Sequence, residues 1–177
     1  YALVLLGVYM FFERWLKEKA ATVLAVLLFL VGGGFGFAYF LDTLQDAPHH
    51  FSRIFTAFYQ TPTNYADVGI RWVNSIADML VPQRATLFGW ALLFPCLYLL
   101  RRAAFEKEKR LFIPLGIIAG LLPLVHTHSF LALGLVSIVY FFHALRTRQK
   151  KTILTGYLAY ALIAILLAAP QLLLFTF

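Results

Sequence analysis

The chain alternates between long apolar runs and short polar or charged stretches. An α-helix rises about 1.5 Å per residue, so about 20 apolar residues cross the roughly 30 Å hydrocarbon core of a membrane. The pattern therefore predicts an all-α fold, a polytopic transmembrane helical bundle that forms a single domain over residues 1–177. The predicted spans are 1–12, 20–41, 86–100, 111–124 with 129–145 as a short broken helical hairpin, and 152–172.

A polar and aromatic segment, residues 42–85, separates the second and third spans and is too long for a simple connector. Within it, apolar residues recur at helical spacing in 49–60 and in 64–80. One apolar stripe of the second stretch contains Val68, Trp72, Ile76 and Met79. These patterns predict two amphipathic helices that lie in the membrane interface.

The composition agrees with a membrane protein. Hydrophobic residues make up 62% of the chain and charged residues 13%, whereas soluble domains have about 45–50% and about 25%. The net charge of +7 does not indicate a nucleic-acid partner, because most basic residues lie between apolar runs. The single Cys96 excludes a disulfide within the chain and is interpreted as a small core residue.

The basic residues predict the orientation of the chain. Twelve of the 15 Lys and Arg lie in the stretches 13–19, 101–110 and 146–151, and the other three lie in 42–85. Because cytoplasmic loops carry an excess of positive charge, the three short stretches are predicted to be cytoplasmic and 42–85 extracytoplasmic, in a cytoplasmic (inner) membrane. Since the chain opens and stops inside apolar runs, we also expect it to be a piece of a longer protein.

The stretch LLPLVHTHSF (121–130) places two histidines inside an apolar run that begins and ends beside basic stretches. Such a run must cross the membrane twice, and Pro123 disfavours a continuous helix through it. His126 and His128 are therefore predicted at the tip of the hairpin, on the same side as 42–85.

Three interpretations of the two histidines are open. They cap carbonyl groups freed at the break, or they bind an anionic headgroup or substrate or move a proton. In the third, they ligate a divalent cation with help from Asp42, Asp46, His49 or His50. No second motif supports the metal, and no cofactor is predicted with certainty.

Gln83 and Arg84 lie where the outer segment enters the third span. The Arg84 side chain either extends to lipid headgroups or binds a phosphate or diphosphate. The glycines of VGGGFGF (31–37) predict close helix packing, with direct ligand contact as the alternative. We expect His126 or His128 to approach Gln83, Arg84 and these glycines around a phosphate-sized polar cavity. Either Asp42 or Asp46 is expected near its rim.

Three stretches, GGGFGF, NSIADMLVPQR and GLLPLVHTHSFLALG with the basic loop that follows, resemble bacterial membrane proteins of the GT-C glycosyltransferase type over residues 25–140. The resemblance implies a multi-span enzyme that uses a lipid-phosphate-linked sugar, such as a polyprenyl-phosphate-linked sugar, on the outer face. Under it, Arg84, His126 and His128 would stabilise the departing phosphate.

The catalytic residues remain unassigned, because Asp42 and Asp46 do not match an acidic motif of that family and the base is expected outside this sequence. The alternative function is a membrane transporter or a structural membrane subunit, since a broken hairpin with polar groups at its tip also forms transporter sites. Membrane lipids are the expected partners in either case.

Overall fold

The computed structural model describes residues 1–32, 64–65, 70–71, 75–106, 108–146 and 150–175. It confirms the predicted all-α class, because nearly all of these residues are helical. Two compact units divide the chain, a larger one of residues 1–26 with 83–177 and a smaller one of residues 27–82.

Six α-helices are described. They are α1 (Ala2–Leu16), α2 (Lys19–Val31), α3 (Arg84–Phe105), α4 (Phe112–Leu121), α5 (Thr127–Leu145) and α6 (Lys150–Phe175). Three of them are long and apolar enough to cross a membrane: α3, α5 and the part of α6 over Ile153–Leu174. The chain is therefore compatible with an integral membrane protein, as its composition predicts.

Small residues allow the helices of the larger unit to pack closely. A Cβ atom added at Gly120 in α4 would lie 2.6 Å from Leu167 Cβ and 3.0 Å from the Ala164 carbonyl oxygen of α6. A Cβ atom at Gly7 in α1 would lie 2.9 Å from the Phe94 Cβ atom of α3. Helix association in lipid depends on such close van der Waals packing, which explains glycine at these positions.

The basic stretches of the larger unit meet at one end, which we call the basic end and define by Arg14, Glu106, His143 and Arg146. The Arg14 guanidinium bonds the Glu106 carboxylate, and the rings of Phe105 and His143 lie 5.4 Å apart. The opposite end, the histidine end, contains Gln83, Arg84, Thr86, His126 and His128. The side of the membrane that each end faces remains a prediction.

The hairpin breaks close to Pro123. Helix α4 ends at Leu121, a 3₁₀ turn covers Leu122–Leu124, and α5 begins at Thr127. The backbone N–H of Val125 donates to the Leu122 carbonyl at 3.0 Å. A proline ring fits the first turn of such a helical element, and this turn separates α4 from α5. Proline alone does not force a break, because α3 and α6 continue through Pro95 and Pro170.

The prediction of one helix over 64–80 is wrong in its first half. Among the described residues of this stretch, Asn64–Tyr65 pairs antiparallel with Ile70–Arg71, whereas Ser75–Leu80 is helical, as a π-helix. The apolar residues Val68, Ile70 and Trp72 also fit the period of two of a strand, and β-branched residues favour extended backbone. The predicted helix over 49–60 lies outside the described residues.

In the smaller unit, the Ser75 hydroxyl donates to the Phe29 carbonyl at 3.1 Å. Leu30 and Leu80 are buried side chains of the same unit. The predicted span over 20–41 is described only as far as the end of α2, so Gly33, Gly34 and Gly36 lie outside the described residues.

Candidate functional site

At the break before α5, the backbone N–H and carbonyl groups of His126 both form hydrogen bonds with other backbone groups. His126 has an extended backbone, with φ −162° and ψ 99°, and is the N-cap residue of α5. Its N–H donates to the Leu122 carbonyl at 2.8 Å, and its carbonyl accepts the N–H groups of Ser129 and Phe130 at 3.1 and 3.3 Å. The imidazole is therefore not used to cap these carbonyls, and it can make other contacts.

The His126 ring joins hydroxyl groups from two helices. Its Nδ1 atom lies 2.8 Å from Ser129 Oγ of α5, and its Nε2 atom lies 3.4 Å from Thr86 Oγ1 of α3. The Thr86 hydroxyl donates to the Gln83 side-chain oxygen at 2.8 Å. Because that hydroxyl donates its hydrogen to Gln83, it can only accept from Nε2–H. In the neutral imidazole that carries this hydrogen, Nδ1 accepts from the Ser129 hydroxyl.

The ring lies directly against the second turn of α3. A Cβ atom added at Gly89 would come within 2.5 Å of His126 Cβ and 2.7 Å of His126 Nδ1. The two hydroxyl-bearing residues are almost inaccessible, Thr86 at 1% exposure and Ser129 at 2%. The contact between α3 and α5 is thus a buried polar network centred on one imidazole.

Sequence reasoning missed Thr86, Gly89 and Ser129. Thr86 and Ser129 each lie three residues after a predicted site residue, a spacing that brings side chains together on a helix. Gly89 follows Thr86 by three positions and lies on the same face of α3. The sequence contains these spacings, but it does not indicate which helix faces the histidines.

The other predicted residues of the histidine end are exposed. Gln83, Arg84 and His128 are all accessible, and the rings of His128 and His126 have centroids 5.4 Å apart. No hydrogen bond or ion pair joins the Arg84 guanidinium to another described residue. The structure thus brings Gln83 and Arg84 to the same end as both histidines, whereas Asp42 and Asp46 lie outside the described residues.

A metal ligand set is not assembled within the described part of the chain. There, no group of three or more His, Cys, Asp or Glu side chains is placed to hold a metal ion. The residues named as further ligands, Asp42, Asp46, His49 and His50, lie outside that part. The phosphate-sized polar cavity remains a prediction.

No family model, curated protein or solved structure matches the chain. The chemistry of the histidine end and the long apolar helices that position it therefore carry the functional interpretation.

Proposed function

We propose that the chain is part of a GT-C-like glycosyltransferase whose histidine end binds the phosphate of a lipid-linked sugar on the extracytoplasmic face. The observation that supports this proposal is the meeting of two separate stretches at one end of the bundle. Gln83 and Arg84 lie at the start of α3, and His126 and His128 lie at the start of α5. Thr86 and His126, which contact each other across the two helices, are 40 residues apart in the chain.

The charge distribution at this end suits an anion. An arginine side chain carries five N–H donors in a planar fork that matches phosphate oxygens, and Arg84 is exposed. The exposed His128 ring adds a further donor. Helices α3 and α5 both begin here, so the positive ends of two helix dipoles point to the same region.

In a sugar transfer, negative charge develops on the departing lipid phosphate as the bond to the sugar breaks. Donors that are already in position lower the energy of that state without having to reorganise. Arg84 and His128 would supply such donors, while Gln83 and the His126 network would hold the two helix starts together. A general base for the acceptor hydroxyl is not assigned to a described residue.

A structural membrane subunit is the second candidate function. It is favoured by one observation, the engagement of both His126 ring nitrogens with hydroxyls of the same bundle. In that case the polar network serves only to join α3 to α5, and the exposed residues beside it would bind no substrate.

The test measures polyprenyl-phosphate binding and thermal stability for Arg84→Ala, His128→Ala and His126→Ala in the full-length protein. We expect Arg84→Ala and His128→Ala each to weaken binding about tenfold, since a hydrogen bond to a charged group contributes about 1.5–3 kcal/mol. Their melting temperatures should not change, because both side chains are exposed. His126→Ala should lower the melting temperature by leaving Thr86 and Ser129 without their partner.

Arg110→Ala is the matched control, because it removes an exposed guanidinium near the opposite end of the larger unit. It should leave phosphate binding unchanged. Binding retained within about twofold in both Arg84→Ala and His128→Ala, with stability lost only in His126→Ala, would refute the substrate site and favour the structural subunit.

A further inference from the structure

A groove of about 410 Å³ runs along the surface between α5 and α6, and we call it the α5–α6 groove. Residues that line it include Gly134, Ser137, Phe141, Tyr157 and Ala161. A Cβ atom added at Gly134 would meet nothing within 4 Å. Glycine is therefore not required there for packing within the described chain, and the space above it is open.

The polar groups along the groove form bonds between the two helices. The Ser137 hydroxyl donates to the Leu133 carbonyl at 2.7 Å and lies 2.9 Å from the Tyr160 hydroxyl. Because these groups satisfy each other, the groove presents an apolar wall. The Tyr157 hydroxyl differs, since it is buried and has no hydrogen-bond partner among the described residues.

One end of the groove lies close to the point where α5 ends and α6 begins. Phe141 and Leu154 lie at that end, about one helical turn from the last residue of α5 and the first residue of α6. The sequence RTRQKK (146–151) covers the connection and the first two residues of α6, and four of its six residues are basic. Arg146 is exposed at the end of α5.

From this arrangement we infer that the α5–α6 groove binds an anionic membrane phospholipid. One acyl chain lies in the groove, and the phosphate group lies near Arg146 at the end of α5. The inference goes beyond the proposed function, because it concerns a different ligand and the opposite end of the larger unit.

The surroundings of the groove favour a lipid as the occupant. Exposed apolar side chains flank it on both helices, among them Leu135, Val139, Leu158 and Leu162. Helices α5 and α6 have the length and composition of membrane spans, so this surface meets acyl chains. Arg146 favours anionic lipids over neutral ones, since a basic residue near a membrane surface attracts anionic lipid by about 1 kcal/mol. A lipid ester oxygen would also supply an acceptor for the Tyr157 hydroxyl.

The experiment uses the full-length protein in detergent with added phosphatidylglycerol or phosphatidylcholine, and native mass spectrometry counts the bound lipids. We expect retained phosphatidylglycerol to exceed phosphatidylcholine. Arg146→Ala should reduce the preference about fivefold, as expected for the loss of one basic residue. Gly134→Leu should displace either lipid, because its side chain fills the open space.

Two further variants keep the outcome interpretable. Lys17→Ala removes another exposed basic side chain and should leave phosphatidylglycerol binding unchanged, which separates a specific site from general attraction by positive charge. Ala161→Leu fills the same groove from α6 and replaces Gly134→Leu if that variant does not fold. Equal retention of the two lipids by the unaltered protein would overturn the inference. So would a concentration-dependent dimer that Gly134→Leu abolishes in the absence of lipid, since the groove would then be covered by a second copy of the chain.

Discussion

At the residue scale, the histidine end depends on the absence of a side chain at position 89. The His126 ring occupies the place that a Cβ atom of residue 89 would take. Its two nitrogens contact Thr86 and Ser129, so the ring cannot move aside without losing these contacts. The network therefore needs a glycine in α3 as much as it needs the histidine.

Gly89→Ala should lower stability by about 1–3 kcal/mol, the usual cost of an overpacked site. Thermal unfolding of the purified protein measures the effect. Gly134→Ala is the control, because its Cβ atom would meet nothing within 4 Å and alanine is the better helix former. That control should be neutral or stabilising by up to about 1 kcal/mol.

Adding His126→Gly to Gly89→Ala should restore part of the lost stability, because glycine removes the His126 Cβ atom, which is the nearest atom at 2.5 Å, together with the ring. If the double variant is less stable than Gly89→Ala by the full effect of His126→Gly alone, the two positions are independent. The close contact at Gly89 would then have no energetic importance.

At the element scale, one carboxylate joins the end of α1 to the end of α3. Arg14 bonds Glu106 with its Nε atom at 3.0 Å and its Nη2 atom at 2.5 Å, and Arg101 bonds the same carboxylate. The Arg101 guanidinium also lies 4.9 Å from the centre of the Trp15 ring of α1. The two helices are thus connected by one acid that accepts from two arginines.

The environment of Glu106 has a consequence for pH. Burial raises the pKa of this carboxyl, but the hydrogen bonds and charges of Arg14 and Arg101 outweigh it and hold the pKa below its ordinary value of 4.5. A carboxyl whose pKa is lower in the folded state contributes stability above pH 4.5. That contribution is lost as the pH falls through the lowered pKa.

Glu106→Gln should therefore lower the melting temperature at neutral pH and flatten its dependence on pH below about 4.5. The carboxylate side chain is 25% exposed, so solvent screening limits the expected effect to about 1 kcal/mol. Glu13→Gln is the control, since Glu13 is exposed on the same turn of α1 as Arg14. Identical acid profiles for all three proteins would contradict this account.

At the scale of the whole molecule, the contacts of the larger unit bring the basic stretches to one end and the histidines to the other. Arg14 with Glu106 and Phe105 with His143 link three stretches that are distant in sequence. Charge asymmetry of this kind sets the orientation of a membrane protein. The basic end is therefore predicted to face the cytoplasm.

Cysteine labelling in whole cells tests that orientation. Cys96 is buried and is replaced by alanine, and single cysteines are then placed at Lys109 and Val81. A membrane-impermeant maleimide should label position 81 in intact cells and position 109 only after permeabilisation. Labelling of position 109 from outside would invert the predicted topology.

The sequence by itself determined the all-α class, the presence of helices long and apolar enough to cross a membrane, and the break near Pro123. These features depend on local quantities, namely the length of an apolar run and the missing N–H of proline. The pattern of apolar residues gave a wrong prediction within 64–71, because so short a stretch fits the period of a strand as well as that of a helix.

Only the tertiary structure decided which side chains meet. The contact of His126 with Thr86 and Gly89, the bonds from Arg14 to Glu106, and the groove between α5 and α6 all depend on which face each helix turns to its neighbour. Helices that are apolar on every side carry little sequence signal for that choice, because lipid and protein interior are similarly apolar. The face that each helix turns to its neighbour depends instead on glycines and hydroxyl groups that lie at the same level along two adjacent helices. The partners of these residues lie dozens of residues away in the chain.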